Sequence, residues 1–342
     1  MSLRAAIEAA VRGEEVPAPA LEAAFAEIVG GKATPVGIAA LLVALRTKGE
    51  SVEEIVAVAR ALRAHAVTAP CLDPRTVDTC GTGGDGAETF NVSTIAAFVV
   101  AGAGVPVAKH GNRAASSRTG SIDVLEALGV RADLPVEVAA RLLAEIGIAP
   151  FFARRAHPAM RFVAPVRQEL GIRTLMNCLG PLLNPTGARR QLVGVYAGAL
   201  VEPLAAALGR LGGERALVVH GEDGLDEITT TSPTRAAWLA GGAVRPLALD
   251  ARDVGLPRAR LADLRGGDAG ENAEIARRVL AGERGPRRDL VLANAGAALW
   301  VAEAAPDWAA GVARAAASLD SGAASAKLDA LVRASNEAEG AA

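Results

Sequence analysis

The chain has 342 residues, of which 51% are hydrophobic and 22% charged, so it can bury a large core and fill two domains. Its formal net charge of -2 gives no general attraction to nucleic acid or anionic membranes, and neither partner is expected. Charged residues interrupt the first turns, so we do not expect the apolar core of a signal peptide there. We therefore expect a cytoplasmic protein. The cysteines Cys71, Cys80 and Cys178 match no C-x-x-C spacing, and we interpret them as free packing thiols.

Residues 1–70 are predicted to form a small helical domain. Thr34-Pro35 places an N-cap and a first-turn proline before a helix over 36–48. Ser51-Val52-Glu53-Glu54 is a capping box, which predicts the next helix up to about residue 65. No strand signal precedes residue 74, so these helices are expected to form a unit of their own.

From residue 75 onward, short apolar runs alternate with glycines and helical segments, which is typical of an α/β domain and is assigned to 71–342. A mostly parallel central sheet flanked by helices is expected there. The predicted strands are 76–80, 105–108, 191–196, 216–220 and 244–249, and the predicted helices are 94–103, 122–128, 136–146, 202–211 and 273–281. The uncharged stretch 89–108 has the length of a membrane span, but its Asn, Ser, Gly and Pro residues favour a buried helix followed by a buried strand.

The loop after the first predicted strand, Gly81–Gly86, matches the dinucleotide pattern G-x-G-x-x-G. Such a site also needs an acidic residue about 20 positions on, and no Asp or Glu lies between residues 89 and 122. A basic residue, Lys109, could accept the phosphate of NADP instead, so this interpretation stays open. The alternative is a pyrophosphate cradle made by the loop and by a helix starting at Asn91 or Ser93, whose first-turn amides we expect to be free for a ligand. An ordinary capped turn fits these residues equally well.

A second loop, from Lys109 to Ser121, follows the next predicted strand. Lysine occurs only four times in the chain, so its place directly after an apolar strand indicates a compact charge for a phosphate. A solvated loop with a few cations is the alternative. The neighbouring His110 is expected to orient other groups by hydrogen bonding rather than to act as a catalyst.

Two further segments carry charges suited to binding. A loop after strand 216–220 holds Glu222, Asp223, Asp226 and Glu227, and hard carboxylate oxygens in such a turn suit Mg²⁺, although a polar turn without metal fits the spacing as well. Arginines at 161 and 167 lie in an apolar, helix-prone stretch. Their bidentate geometry fits a carboxylate, and a surface ion pair is the default alternative.

Taken in chain order, these segments resemble the anthranilate phosphoribosyltransferase family, which belongs to the nucleoside phosphorylase and phosphoribosyltransferase fold. The matching blocks are Gly81–Gly86, Asn91–Thr94, Lys109–Arg113, His157–Arg167, Asn177–Pro185 and Asp223–Ile228. The resemblance implies transfer of phosphoribose from phosphoribosyl pyrophosphate to the amine of anthranilate in tryptophan biosynthesis, with release of pyrophosphate. It also implies Mg²⁺, with two ions expected, and no organic cofactor or general base.

The resemblance further assigns binding residues. For phosphoribosyl pyrophosphate they are Gly81, Gly84, Asp85, Thr89, Asn91, Val92, Ser93, Thr94, Lys109, His110, Gly111, Asn112, Arg113, Ala114, Ala115, Ser116, Ser117 and Ser121. For anthranilate they are Gly81, Asn112 and Arg167, the last on the carboxylate, and for the metal they are Ser93, Asp226 and Glu227.

The family's fold implies a small helical domain packed on a larger α/β domain, with the active site at the hinge. Residues 163–190 are expected to return to the helical domain, and a homodimer is expected to form through the N-terminal helices. Phe162 and Met176 depart from the family pattern next to the acceptor positions, so the resemblance defines the shape of that pocket least well.

Three other functions stay in view. A pyrimidine-nucleoside phosphorylase would share the fold, but it usually carries a K-x-S-x-R segment that is absent here, and the Asp226-Glu227 pair argues against it. An NADP-dependent oxidoreductase is the second. The third is a catalytically silent binding paralogue, which the intact Lys109, Arg167 and Asp226-Glu227 disfavour.

Overall fold

The computed structural model describes residues 3–69, 73–114 and 118–338. Within these ranges the α-helices are α1 (Leu3–Val11), α2 (Ala18–Val29), α3 (Pro35–Lys48), α4 (Val52–Arg63), α5 (Val92–Gly102), α6 (Ser121–Ala127), α7 (Val136–Ile146), α8 (Ala153–Ala156), α9 (Ala164–Leu170), α10 (Val201–Arg210), α11 (Ala269–Leu280), α12 (Pro286–Val301), α13 (Trp308–Asp320) and α14 (Ala323–Glu337). The strands are β1 (Val77–Gly81), β2 (Val107–Gly111), β3 (Ile148–Phe152), β4 (Arg190–Gly194), β5 (Arg215–Gly221), β6 (Thr234–Ala240) and β7 (Ala243–Leu249).

The N-terminal helices begin where their capping residues predict. Thr34 accepts a hydrogen bond from the backbone amide of Gly37 at 3.2 Å, and α3 begins at the following proline. The side chain of Ser51 and that of Glu54 form both halves of the capping box at the start of α4. Glu54 is fully buried and also accepts from Lys48 Nζ at 2.7 Å and from the amide of Val16 at 2.8 Å, so one carboxylate ties three segments of the helical core together.

A seven-stranded sheet, in the order β3-β2-β1-β4-β5-β6-β7, runs through the described part of the larger domain. The pairs from β3 to β5 are parallel, and β6 and β7 are antiparallel. The order of the strands along the chain reverses between β1 and β4. In an open α/β sheet the ligand crevice lies outside the carboxyl ends of the strands at such a reversal, which places it next to Gly81 and Gly194.

The predicted fold class is confirmed: N-terminal helices pack on a larger α/β part with a mostly parallel sheet. All five predicted strands form, but the second runs over Val107–Gly111 instead of 105–108, so Lys109 and His110 lie inside β2 rather than in a loop after it. The prediction missed β3 and β6. Pro150 interrupts the strand signal of β3, and β6 is rich in alanine, which has low strand propensity.

The segment after β3 packs back onto the N-terminal helices. The ring of Phe162 lies against Gly31, and Val163, Val166 and Met176 are buried in the same apolar cluster as α2, α3 and α4. Phe162 and Met176, expected near the acceptor pocket, therefore contribute to this helical packing.

The structure also bears on two sequence predictions, those for the cysteines and for the uncharged stretch 89–108. Cys80 and Cys178 are free thiols, and Cys71 lies outside the described residues. The uncharged stretch is α5 followed by β2, as predicted, and among the described residues no helix is long and apolar enough to cross a membrane.

Candidate active site

Two glycines at the ends of neighbouring strands allow the acidic loop to approach the sheet. Gly81 and Gly194 are paired in register at the carboxyl ends of β1 and β4. A Cβ atom on Gly194 would lie 1.5 Å from the backbone oxygen of Asp226, and one on Gly81 would lie 2.5 Å from its carboxylate. The amide of Gly83 donates to Asp226 Oδ2 at 2.7 Å. The glycine loop and the acidic loop, which are far apart in sequence, thus form one site.

The four carboxylates of the acidic loop have different roles. Glu222 is exposed and pairs with Arg235 at 3.2 Å. Asp223 braces the loop internally, since it accepts from Thr229 Oγ1 at 2.6 Å. Asp226 and Glu227 instead lie at the glycine loop and the start of α5, so only half of the predicted acidic cluster belongs to the site.

The two carboxylates at the site are half-buried and repel each other. Burial, together with the charge of Asp85 and a hydrogen bond to it, raises the pKa of Asp226 to about 7. Burial, followed by the charge of Asp226, raises the pKa of Glu227 well above its usual range, although Lys109 and the amide of Ser93 partly offset this. Buried oxygens that repel in this way are neutralised by a hard cation.

The donor set fits magnesium but does not enclose it. In the described ranges, no three His, Cys, Asp or Glu side chains surround one point closely enough to hold a metal ion by themselves. Mg²⁺ commonly uses one or two carboxylates and keeps waters and substrate phosphates for its remaining positions. Asp226, Glu227 and the Ser93 hydroxyl would therefore form part of its shell.

Lys109 is a buried charge rather than a solvated one. Its side chain is 4% exposed, and Nζ donates to the backbone oxygen of Thr79 at 2.5 Å and to Ser93 Oγ at 3.3 Å. The solvated-loop alternative is thus wrong for this residue. Its ammonium lies at the start of α5, close enough to Glu227 to lower the pKa of that carboxyl.

The start of α5 differs in one respect from the expectation. Asn91 is the N-cap by position, but its side chain donates to the Thr119 oxygen at 3.4 Å and accepts from Asn272 at 3.0 Å instead of capping the helix. The first-turn amides were expected to be free, and this is wrong for Val92 and Thr94, whereas the amide of Ser93 lies near enough to Glu227 to lower the pKa of that carboxyl. The acidic loop itself supplies an anion at the helix N-terminus. The amides of Val92 and Thr94 donate within the turn, to the backbone oxygens of Phe90 at 2.8 Å and of Asn91 at 3.2 Å, and the side chains of both residues are buried.

The second loop is only partly directed to the site. A Cβ on Gly111 would lie 2.1 Å from Ser121 Oγ, which donates to the Asn112 oxygen at 3.5 Å. Arg113 pairs with Glu126 at 2.6 Å, and the amide of Ala114 donates to Asp123 at 2.9 Å. Arg113 is therefore engaged in a partly exposed ion pair on α6. Ala115, Ser116 and Ser117 lie outside the described residues.

Two contacts of the glycine loop were not predicted. The guanidinium of Arg173 donates to the Gly84 oxygen and lies 4.4 Å from the centre of the Tyr196 ring. Thr82 Oγ1 accepts from the amide of Tyr196 at 3.0 Å. Thr89, at the far end of the loop region, forms an antiparallel bridge with Arg265. These contacts connect segments that no local sequence pattern relates.

A buried polar network beneath the site was also missed. Asp78 is fully buried and accepts from the amide of His110 at 3.3 Å and from Asn184 Nδ2 at 2.9 Å. Asn184 also donates to the Ala108 oxygen at 2.9 Å, so it connects β1 and β2 near their amino ends. The Asn-Pro pair at 184–185 lay inside a recognised block, and that is the only signal that could have indicated its importance.

His110 is held in its neutral form. Its Nδ1 donates to the Gly180 oxygen at 3.2 Å, and its ring lies edge-on to His157 with 5.5 Å between the ring centres. Burial, together with the neighbouring His157, lowers the pKa of His110 to about 3. This agrees with an orienting role and gives no support for a general base.

Substitution of His110 by Gln is expected to leave the shape of the pH profile unchanged. Because the pKa of His110 is about 3, the ring stays neutral throughout the range from pH 5.5 to 8.5. The check is kcat/KM for both substrates across that range in the wild type and the variant. A limb near pH 6.5 that disappears with the substitution would contradict this result.

Arg167 has the properties of an anion-binding residue. It lies on α9, and burial lowers the pKa of its guanidinium. Within the described ranges no carboxylate pairs with it, whereas Arg161 is exposed and lies 4.7 Å from the centre of the Phe162 ring. A partly desolvated guanidinium without a protein counter-charge favours binding of a ligand carboxylate.

Comparison with known proteins gives a consistent family. The model of the glycosyl transferase family a/b domain matches residues 73–325, and that of the family's helical bundle domain matches residues 4–66. An anthranilate phosphoribosyltransferase from Moorella thermoacetica is 56% identical over 330 residues, covering 96% of this chain and 97% of that protein. The crystal structure of the Thermus thermophilus anthranilate phosphoribosyltransferase is 45% identical with a TM-score of 0.92, covering 97% of this chain and 99% of that one. The enzyme from Saccharomyces cerevisiae, in complex with PRPP and Mg, is 27% identical with a TM-score of 0.89 and 98% coverage of both chains.

Proposed function

The chain belongs to the anthranilate phosphoribosyltransferase family, and on that premise we propose that it transfers phosphoribose from phosphoribosyl pyrophosphate to anthranilate in tryptophan biosynthesis. The observation that carries this proposal is the meeting of Asp226, Glu227 and Lys109 at the glycine loop, where the strand order reverses. Two carboxylates and a buried ammonium suit a magnesium pyrophosphate better than a nicotinamide. Family membership also disfavours the nucleoside phosphorylase and oxidoreductase alternatives.

The donor substrate would lie across the glycine loop and the start of α5. The residues that would contact it there are Gly81, Gly84, Asp85, Thr89, Asn91 and the residues from Val92 to Thr94. The second-loop residues would complete the set. Lys109 would hold the developing charge on the pyrophosphate. The site would carry two Mg²⁺ ions, with Ser93, Asp226 and Glu227 among the ligands.

The acceptor would lie between this cradle and α9. Arg167 would bind the carboxylate of anthranilate through its planar fork, with Asn112 and the backbone of Gly81 beside the amine. His110 and the other second-loop residues would line the junction of the two substrates.

The reaction is a displacement at the anomeric carbon. The neutral aryl amine attacks as the bond to pyrophosphate breaks, and the amine loses its proton after the new C–N bond has formed. Magnesium, when bound, supplies positive charge to the leaving group. The protein's own contribution is to orient both substrates and to place Lys109 and the loop amides where negative charge develops, so no side chain has to act as a general base.

The same proposal covers the organisation of the protein. Residues 1–70 with 163–190 would form the helical domain and the remainder of 71–342 the catalytic domain, with the site at the hinge. The protein would be cytoplasmic and homodimeric. Val11 on α1 and Val36 on α3 are 71% and 79% exposed, and they lie on the helices through which the dimer is proposed to form.

A direct assay tests the activity. Anthranilate fluorescence is followed after addition of the enzyme, Mg²⁺ and phosphoribosyl pyrophosphate, and it should decrease as the amine is substituted. Omission of either Mg²⁺ or the donor should stop the decrease. A signal that stays constant with all components present would reject the proposed function.

Substitution of Arg167 by Ala should weaken anthranilate use specifically. Loss of a charged hydrogen-bonded pair costs about 1.5 to 3 kcal/mol, which is roughly a 10- to 150-fold rise in the anthranilate KM. The KM for phosphoribosyl pyrophosphate should change little. Arg161→Ala is the matched control, since that arginine is exposed and stacks on Phe162. An unchanged anthranilate KM in the Arg167 variant would exclude the assigned role.

A further inference from the structure

Asn294 of α12 clasps the acidic loop directly after its two site carboxylates. Its side chain is fully buried. Oδ1 accepts from the amide of Ile228 at 3.0 Å, and Nδ2 donates to the oxygen of Ile228 at 2.9 Å. The remaining hydrogen of Nδ2 is used by the Leu290 oxygen at 2.9 Å, one turn earlier on the same helix. The hydrogen-bonding groups of the Asn294 carboxamide are therefore all paired, with one loop residue and with its own helix.

This clasp replaces a strand contact that the loop lacks. The segment between β5 and β6 leaves the sheet, so the backbone groups of Ile228 have no ladder partner and would be buried unsatisfied without Asn294. The side chain meets both groups at once, as a neighbouring strand would. Helix α12 is buried along most of its length, so it provides a rigid anchor.

The position of the clasp matters because the acidic loop lies directly against the sheet. A Cβ on Gly194 would lie 1.5 Å from the backbone oxygen of Asp226, so a small displacement of the loop changes where both carboxylates lie. Three contacts hold the loop in place: the amide of Gly83 on Asp226, the internal brace at Asp223, and the clasp at Ile228. Of the three, the clasp alone connects the loop to a helix, and it bonds the residue that follows Glu227.

We propose that Asn294 is a positioning residue for the metal-binding carboxylates: it holds Ile228 so that Asp226 and Glu227 face the pyrophosphate cradle. It touches neither substrate nor metal. The inference rests on the proposed function in taking the cation to be magnesium bound with pyrophosphate. Residues that orient metal ligands from behind typically affect metal affinity by 10- to 100-fold when they are replaced.

The test compares Asn294→Ala with Trp308→Phe. Trp308 Nε1 donates to the oxygen of Ala293, the neighbour of Asn294 on α12, at 2.9 Å, so Trp308→Phe removes one buried bond from the same helix without touching the loop. Asn294→Ala should raise the Mg²⁺ concentration for half-maximal activity and the KM for phosphoribosyl pyrophosphate by roughly 10-fold or more, with an unchanged KM for anthranilate. Trp308→Phe should keep wild-type values for all three. If Asn294→Ala does not fold, Asn294→Ser should show the same split with a smaller size.

A second readout does not need turnover. Binding of Mn²⁺ in the presence of inorganic pyrophosphate is followed by the loss of the free-ion electron paramagnetic resonance signal, and Asn294→Ala should weaken it by a similar factor. Wild-type Mn²⁺ affinity in that variant, or an equal change in both substrate KM values, would overturn the inference. A wild-type protein that binds Mn²⁺ and pyrophosphate but consumes no anthranilate would instead reject the proposed function and leave the role of Asn294 to be judged from the binding data.

Discussion

Replacement of Gly194 by alanine is expected to lower kcat/KM for phosphoribosyl pyrophosphate by roughly 100-fold or more. An added Cβ would lie 1.5 Å from the backbone oxygen of Asp226, and the contacting atom is backbone, so a side-chain rotation cannot relieve the overlap. The acidic loop must then move away from β4 and carry Asp226 and Glu227 with it. A shift of about 1 Å in a catalytic group can cost 100-fold in rate, which corresponds to about 2.7 kcal/mol.

The control is another glycine that gains the same methyl group. Gly209 lies in α10, and a Cβ there would meet only the tip of the Leu239 side chain, at 3.1 Å. Gly209→Ala should retain wild-type kinetics. The measurement is steady-state kinetics for each substrate together with circular dichroism of both variants. A folded Gly194→Ala enzyme with the wild-type KM for phosphoribosyl pyrophosphate would show that the loop does not depend on this glycine.

The local features of the fold could be predicted because their causes are local. The capping residues Thr34 and Ser51 lie within a turn of the amides they bind, and α5 follows from its uninterrupted apolar composition. The approach of Asp226 to Gly81 and Gly194 was not predictable in that way. It depends on which strands become neighbours, and only the assembled sheet determines this.

The predictions for the site were incomplete for the same reason: its contacts join residues that are far apart in the sequence. The sequence grouped Asp223 with Asp226 because they are close along the chain, but the turn directs one carboxylate to Thr229 and the other to the glycine loop. The clasp by Asn294 joins residues 66 positions apart, and the bond from Asn184 to Asp78 joins residues 106 apart. The family motifs predict which residues meet the substrates. They assign no role to the buried residues behind the site, although Asn184 lies within one of the matching blocks.

The double variant Asp226→Asn, Glu227→Gln is expected to lose roughly 10²- to 10⁴-fold in Mg²⁺-dependent kcat/KM for phosphoribosyl pyrophosphate, equivalent to about 3 to 5 kcal/mol of charge stabilisation on the leaving group. Both substitutions keep the shape of the side chain, and Asn at 226 can still accept from the amide of Gly83. Glu222→Gln is the matched control, because that exposed carboxylate of the same loop pairs with Arg235 and should be dispensable. Full activity in the double variant would remove the metal role of both residues.

The same double variant should be more stable than the wild type when metal is absent, and this separates lost chemistry from lost folding. The pKa of Asp226 is about 7 in the folded protein against an ordinary 3.8, so between those values the folded state binds more protons than the unfolded state. The free energy of unfolding of the wild type therefore falls, through this group, as the pH rises from about 4 to 7, by on the order of a few kcal/mol. The double variant is neutral at both positions, so its free energy of unfolding does not fall with pH through this group. The melting temperature of the double variant in chelator should exceed that of the wild type, and the difference should grow between about pH 4 and pH 7. An equal or lower melting temperature of the variant at pH 8 would mean that these carboxylates do not destabilise the wild type.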